Sequence, residues 1–483
     1  MPTIRTGDRA PFREGLAEGG PPERRRTVLP AGVLERMIGK APADWSVRDL
    51  VDLVSERGIR LVSLMHIGGD GWLKTLDFVP RGVCHLEDIL SGGERADGSS
   101  LFRGLGIPSG ASDIVLRPRL ETAFLDPFSE QPALVLLCGH RGRDGEPLPQ
   151  SPSTILRRAY ERLKAESGVD LHALGEVEYF LGKRRAESDI YGAADRGYHA
   201  SSPFVFGEGL RRRAMVVLAE IGVPVKYAHS EVGYIEADES DPVLWEQHEI
   251  ELALAPLPEA ARSVALTQWV LRNLAHRAGL LCSFDPIVRE GHAGNGLHFH
   301  LAPWTGEGHL DAHAPSGELR PEAKWLVAGL VRVGAALMAF GNRADGSFVR
   351  LSQGKESPRA IFWGAYDRSA LVRLPIVARA ADGRQIAPET VEFRLPDGSA
   401  HPYLLLAGVA QAMLEGRATA GLDALLEATS AEKAKKGPRS TTPIPRTPSE
   451  VGEALAAARG ALESGGVFPD VLIEAVLSQL ASR

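Results

Sequence analysis

The sequence predicts an α+β protein built from a small N-terminal domain and a larger second one. Three observations carry this reading. Strand-like apolar runs crowd the region before residue 148. The turn-forming segment DGEPLPQSP then breaks the pattern. Beyond it, strands and long amphipathic helices alternate without regular βαβ units.

Residues 1–44 are rich in Pro, Gly and Arg without steady periodicity, and read as a mobile arm ending in one short helix, VLERMIGK. SVRDLVDLVSERG carries a helical apolar stripe, capped by Ser46 at its start and Gly58 at its end. The runs IRLVSLMHI, WLKTLDFVP, SDIVLRP and ALVLLCG read as strands of a small domain over 45–148. SGGERADGSSLFRG, too polar for a core, reads as a loop between them. The second domain, 149–483, opens with the amphipathic helix SPSTILRRAYERLKAESG, with Pro152 beside its start. Further helices read at PEAARSVALTQWVLRNLAHRAG, RPEAKWLVAGLVRVGAALMAFG and YLLLAGVAQAMLEG. The end of the chain is polar at KAKKGPRSTTPIPRTP and then helical again.

Composition excludes several classes. The 44% hydrophobic and 24% charged fractions suit a soluble globular protein, and 483 residues can bury a large core. A net charge of −7 argues against a general nucleic-acid binder. Cys84, Cys138 and Cys282 have no metal-like or redox spacing and read as reduced thiols. The N-terminus lacks an apolar signal core, and no stretch approaches the roughly 20 apolar residues that cross a bilayer. The expectation is a cytoplasmic protein with no membrane or nucleic-acid partner.

The acids and one histidine carry the chemistry. Glu176 and Glu178 stand in GEVEYF, Glu231 in AHSEV, Glu249 in EQHEIEL, His298 in GNGLHFH, and Glu392 beside Arg394 in VEFRLPD. Four of these segments are apolar and β-prone, with acids at alternate positions, so side chains two apart share a face. Carboxylates that close repel one another unless cations neutralise them. A carboxylate-rich set with few nitrogens suits Mg²⁺ or Mn²⁺ better than zinc. Metal together with arginine is what transfer of a nucleotide γ-phosphoryl group requires.

The order ExE, E, QxE, GxGxHxH, RL…GxE, RSxxxR, ExR, preceded by DGSS, resembles the glutamine synthetase family over about residues 45–420. The resemblance implies an N-terminal β-grasp-like domain, a larger catalytic domain with a curved sheet, and a homo-oligomeric ring with each active site between neighbouring subunits. It implies that Glu178, Glu231 and Glu249 hold one divalent ion, and that Glu176, His298 and Glu392 hold a second, which bridges the phosphates of ATP. Gly294 matches a position whose backbone approaches the glutamate substrate, as glycine permits. Arg350 resembles the arginine that pairs with a glutamate carboxylate, and Arg394 one close to that site. Arg368 and Arg373 resemble the phosphate-binding pair. Glu356 resembles a glutamate that closes over the intermediate and helps deprotonate ammonium. Asp97 resembles an aspartate lent by the adjacent subunit, and Tyr198 a tyrosine lining the ammonium site. His300 reads as structural, and Arg343, Arg359 and Arg379 as surface residues.

The departures from the family pattern matter. The interval from Glu231 to Glu249 is about ten residues longer than in bacterial relatives, a length that loops absorb at small entropic cost. Its acids and Trp245 either reshape the amine pocket or form a solvated turn. Thr390 stands where many relatives have an arginine that serves the nucleotide, and Ala293 where they have an asparagine. The implied activity is ligation of ammonia to the γ-carboxyl of glutamate through γ-glutamyl phosphate. Two alternatives remain: the same chemistry with a larger amine (polyamine, ethanolamine or methylamine), and a catalytically inactive structural or regulatory ring. Retention of every ligand position argues against the second, because buried carboxylates without a use are costly.

Overall fold

The strongest local signal, SVRDLVDLVSERG, forms the helix Val47–Arg57 in the computed structural model, which describes residues 32–187, 189, 194–355, 357–434 and 442–483. Ser46 Oγ accepts the Asp49 N–H, the Asp49 carboxylate accepts the Ser46 N–H, and Gly58 closes the helix in the left-handed conformation. Its buried face (Leu50, Val51, Leu53, Val54) packs on one side of a six-stranded sheet. The strands are β1 (Leu61–Ile67), β2 (Leu73–Phe78), β3 (Glu94–Asp97), β4 (Asp113–Pro118), β5 (Phe124–Leu125) and β6 (Ala133–Arg141), in the order β2-β1-β6-β4-β3 with β5 on β6.

One expectation for the small domain changes. SGGERADGSSLFRG is not a loop: it contains β3, paired antiparallel with β4, and the short helix Gly98–Leu101. Its polarity suits an edge strand, which needs backbone partners on one side only. Of the N-terminal arm, residues 1–31 lie outside the described residues. The expected helix forms at Val33–Ile38, and its Leu34 is buried in the small-domain core.

The opposite face of the small sheet, through Met65, Ile67, Val135 and Leu137, joins the core of the large domain. That domain is organised by a ten-stranded sheet: β7 (Asp170–Arg184), β8 (Val225–Ile235), β9 (Val243–Leu252), β10 (Ala255–Pro256), β11 (Leu281–Ser283), β12 (Leu297–Trp304), β13 (Ala360–Ala365), β14 (Ala370–Leu374), β15 (Val391–Phe393) and β16 (Thr442–Pro443). Its order is β16-β13-β14-β15-β12-β7-β9-β8, with β10 and β11 also on β7. The helices Pro152–Ser167, Leu257–Arg277, Pro321–Val333 and the almost wholly buried Pro402–Arg417 pack together against it. RPEAKWLVAGLVRVGAALMAFG is not one helix: after Val333 the chain turns, and Met338–Gly341 forms a separate short helix. Gly175 lies so close to Val264 of the helical layer that a Cβ there would be 2.9 Å from it. Alternation along β7 then leaves Glu176 and Glu178 on the face away from the helices. No helix among the described residues is long and apolar enough to cross a membrane.

Candidate active site

Strand register assembles the site. Across β8, β9, β7, β12, β15 and β14, His229 stands opposite Glu249, Glu249 opposite Glu178, Glu251 opposite Glu176, Glu176 opposite His298, His300 opposite Glu392, and Glu392 opposite Arg373. Directly opposed residues share a face, so residues from position 176 to 392 form one continuous row of acids, imidazoles and guanidinium groups.

One end of the row is cationic. Fully buried Glu392 accepts from Arg373 Nη1 at 2.9 Å and from Arg394. Arg394 Nε also donates to the Arg368 carbonyl, and the Arg368 side chain reaches the Tyr198 hydroxyl. Glu176 is hydrogen-bonded at 2.9 Å to both His298 and His300. Burial would raise Glu176, but the two imidazoles hold it well below the usual carboxylate range. Burial would likewise push His300 down, yet Glu176 beside it carries it up to about 9. Thr390 is hydrogen-bonded to the other His300 nitrogen at 2.7 Å, so in this chain it orients that imidazole.

The other end is anionic. Burial, and then the charges of Glu178 and Glu249, push Glu231 up to about 9. Glu249 is raised well above its ordinary range by burial and by Glu176 and Glu178. Burial and like charge thus act in the same direction on both acids. His229 lies between the two, 3.5 Å from Glu231 and 3.3 Å from Glu249. Glu178 accepts the Gly296 N–H at 2.7 Å and the Gln247 side-chain amide at 3.1 Å.

Two groups of potential ligand atoms, each lying within 4.8 Å of one another, match this layout: Glu176, His298 and Glu392, and His229, Glu231 and Glu249. A third, Glu176, Glu249 and Glu251, overlaps them. Oxygen-rich sets with single imidazoles fit hard divalent cations, and the raised acids would ionise beside one.

A cavity of about 270 Å³ opens beside this row, lined among others by Glu178, Glu231, Gly294, His298 and Arg350. Buried Arg350 donates to the Leu395 carbonyl and lies 3.4 Å from His298 Nε2. Gly296 keeps this space open, and Gly294 permits a close backbone approach to Pro286. A Cβ on Gly294 would sit 2.1 Å from the Pro286 carbonyl, and one on Gly296 2.7 Å from His298 and 2.9 Å from Arg350. Asp97 is exposed on the small domain, held by Ser99 and Ser100, and does not line this cavity in its own chain. Tyr198 is half exposed and stacks on His199. Glu356 lies outside the described residues.

Several site residues escaped the sequence reading. His229 and Glu251 were signalled by the same alternation that exposed Glu231 and Glu249. Asp195 and Lys355 also line the cavity, from loops that carry no periodic signal. Arg343 is not a surface residue: it is half-buried and donates to the Asp70 carbonyl, tying the two domains together. The insertion between Glu231 and Glu249 lengthens the β8–β9 hairpin. Its Glu236 pairs with Arg185, and Asp238 and Asp241 pair with Arg289. Trp245 lines a different cavity, together with Trp72 and Trp269.

The model of the glutamine synthetase catalytic domain family matches residues 149–479. A glutamine synthetase of Thermus thermophilus is 33% identical over 340 residues, which cover 68% of this chain and 72% of that relative. A 3-hydroxylaminophenol mutase of Cupriavidus pinatubonensis is 30% identical over 402 residues, 77% of this chain and 81% of that one. Among solved structures, Plasmodium falciparum glutamine synthetase is similar in fold, with a TM-score of 0.74 at 18% identity over 91% of this chain and 95% of that one.

Proposed function

The chain belongs to the glutamine synthetase family, a family of ligases, and from that premise we propose that it joins ammonia to the γ-carboxyl of glutamate using ATP. Family membership alone does not select the reaction, since one relative is a mutase. The observation that carries the proposal is the row running from His229 and Glu249 to Glu392 and Arg373, with a small cavity beside it that contains Arg350.

In this reading Glu178, Glu231 and Glu249, with His229 beside them, hold one divalent ion, and Glu176, His298 and Glu392 hold the other. Bound there, Mg²⁺ or Mn²⁺ offsets the charge of the triphosphate and of the attacking carboxylate. Arg368 and Arg373 receive the phosphates, and Arg350, Arg394 and the Gly294 backbone orient glutamate. A γ-carboxylate oxygen then attacks the γ-phosphorus, the bond to the bridging oxygen breaks, and ADP leaves. Ammonia adds to the carbonyl carbon of γ-glutamyl phosphate, the C–O bond to phosphate breaks, and the proton lost from nitrogen passes to the Glu356 carboxylate. Asp97 and Glu356 complete the ammonium site, Asp97 from a neighbouring subunit of a cytoplasmic ring, and Tyr198 lines it.

The second reading, a larger amine, draws support from the rings around His229: Tyr198 at 5.3 Å, His199 at 4.6 Å and Tyr227 at 6.0 Å. Such rings suit an organic cation. ADP release with glutamate against a panel of amines tests both readings. Fastest turnover with ammonium supports the first, and preference for an alkylated amine replaces it with the second. No ADP release with any amine refutes both.

A further inference from the structure

A second cavity, of about 680 Å³, lies at the seam of the two domains and shares no lining residue with the cavity beside the acid row. Three indoles line it, each brought by a different element: Trp72 by the turn between β1 and β2, Trp245 by β9, and Trp269 by the helix Leu257–Arg277. Two of them are fixed by packing. Trp245 lies over Gly182 of β7, where a Cβ would be 2.6 Å from the ring. Trp269 meets the Phe128 ring edge-on at 5.0 Å. Trp72, by contrast, is 68% exposed, which leaves a large apolar ring facing solvent at the mouth of a concave space.

Two guanidinium groups stand in this wall without a carboxylate of their own. Arg272 follows Trp269 by three residues on one helix, so the two share a face. Its guanidinium carbon lies 4.5 Å from the Phe284 ring centroid and 5.8 Å from that of Trp72, and among the described residues it donates no hydrogen bond and enters no ion pair. Arg343 lines the same cavity, and among the described residues its side chain donates only to the Asp70 carbonyl, at 2.8 Å. The carboxylates of the wall are engaged elsewhere. Asp70 accepts from Lys74 Nζ at 2.7 Å and from the Trp72 N–H at 3.0 Å, and Asp285 accepts from the Ser283 hydroxyl at 2.9 Å. A guanidinium stacked on aromatic rings keeps its in-plane N–H groups available to fork onto a carboxylate. A lone arginine on an aromatic ring is common at protein surfaces; here it stands in a cavity of ligand size with a second guanidinium and three indoles. Rings and cations together suit a flat aromatic anion. Asp70 and Asp285 favour a single negative charge, because a phosphate dianion would meet twice the repulsion.

We propose that this cavity is a second ligand site, which binds a planar aromatic carboxylate with its ring against the indole wall at Trp72 and its carboxylate on Arg272. The proposal goes beyond the ligase reading and stands without it. The ligand touches both domains at once, through Trp72 of the small one and Arg272 of the large one.

The test uses the full-length protein and calorimetric titration with indole-3-acetate, its uncharged analogue indole-3-acetamide, acetate and AMP. Indole-3-acetate should bind with a Kd below about 1 mM, and acetate, which lacks the ring, should give no measurable binding. Indole-3-acetamide should bind about tenfold more weakly than indole-3-acetate, the loss expected for one charge-assisted contact. Arg272→Gln should erase that difference, whereas Trp72→Leu should weaken both indoles about three- to tenfold and preserve it. Both side chains are exposed, so the variants should fold, and unchanged melting temperatures would verify it. No measurable binding of indole-3-acetate to the wild type, or wild-type affinity in both variants, would overturn the proposal. Tighter binding of AMP that depends on Arg272 would overturn it in favour of a phosphate ligand. A change of particle mass in Trp72→Leu by light scattering, with no indole bound by the wild type, would overturn it in favour of a contact between subunits.

Discussion

Replacing Glu178 separates the ligand role of the acid row from its structural role. Glu178 Oε2 accepts the Gly296 N–H and the Gln247 amide, so Glu178→Ala strands two donors, at about 1–3 kcal/mol each if neither finds water. Against this, the change removes a charge that pushes up both Glu231 and Glu249. The two effects oppose, and the net loss of stability should be on the order of 1–2 kcal/mol, small beside a typical 5–15 kcal/mol. The metal tells the two roles apart. A carboxylate about 4 Å from a divalent ion gains about 8 kcal/mol at an effective dielectric of 20, twice the unit-charge figure, before desolvation offsets most of it. Ion affinity should therefore fall at least a hundredfold, with turnover abolished in Glu178→Ala and in His298→Ala. Glu178→Gln, which keeps an acceptor for Gly296, should recover the melting temperature without recovering ion binding. Calorimetry with Mg²⁺ and Mn²⁺, ADP release and thermal melting report the three quantities. Near-normal turnover of Glu178→Ala at saturating Mg²⁺, or an unchanged count of bound ions, would refute the ligand assignment.

Three further outcomes follow. Mixing Asp97→Ala subunits with Glu178→Ala subunits should restore part of the activity if Asp97 completes a neighbour's site, and a fully active monomer by light scattering would exclude that sharing. Metal-free protein should lose stability as pH falls from about 6.5, because burial holds His66 and His172 down to about 4 and His140 and His401 to about 3, and these four imidazoles outweigh the opposing Glu231 and Glu249, so the unfolded chain binds more protons over that window. The slope should approach roughly 1.4 kcal/mol per pH unit for each imidazole, and urea midpoints that do not fall between pH 6.5 and 4.5 would contradict it. Deleting Ala237–Ser240 should leave the amine preference intact, since the acids of the insertion engage Arg185 and Arg289 and Trp245 faces another cavity; a changed ratio of ammonium to alkylamine rates would return the insertion to the amine site.

What the sequence disclosed was whatever depends on periodicity. Acids two apart on β7 and β9 had to share a face, and the registers of β12 and β15 then brought in His298 and Glu392. The same rule covers His229 and Glu251, whose places in the row follow from the alternation of β8 and β9. β3 was hidden for a different reason: an edge strand buries little, and its composition resembles that of a loop. Arg343 was hidden because domain packing, not local pattern, buries it. Asp195 and Lys355 were beyond reach altogether. Neither lies on a strand or helix, and the contact between them exists only once the 291–294 loop has been placed against the sheet. The ligand row is thus written in strand alternation. The part of the cavity wall that Asp195 and Lys355 supply is written in loop closure, which strand alternation does not report.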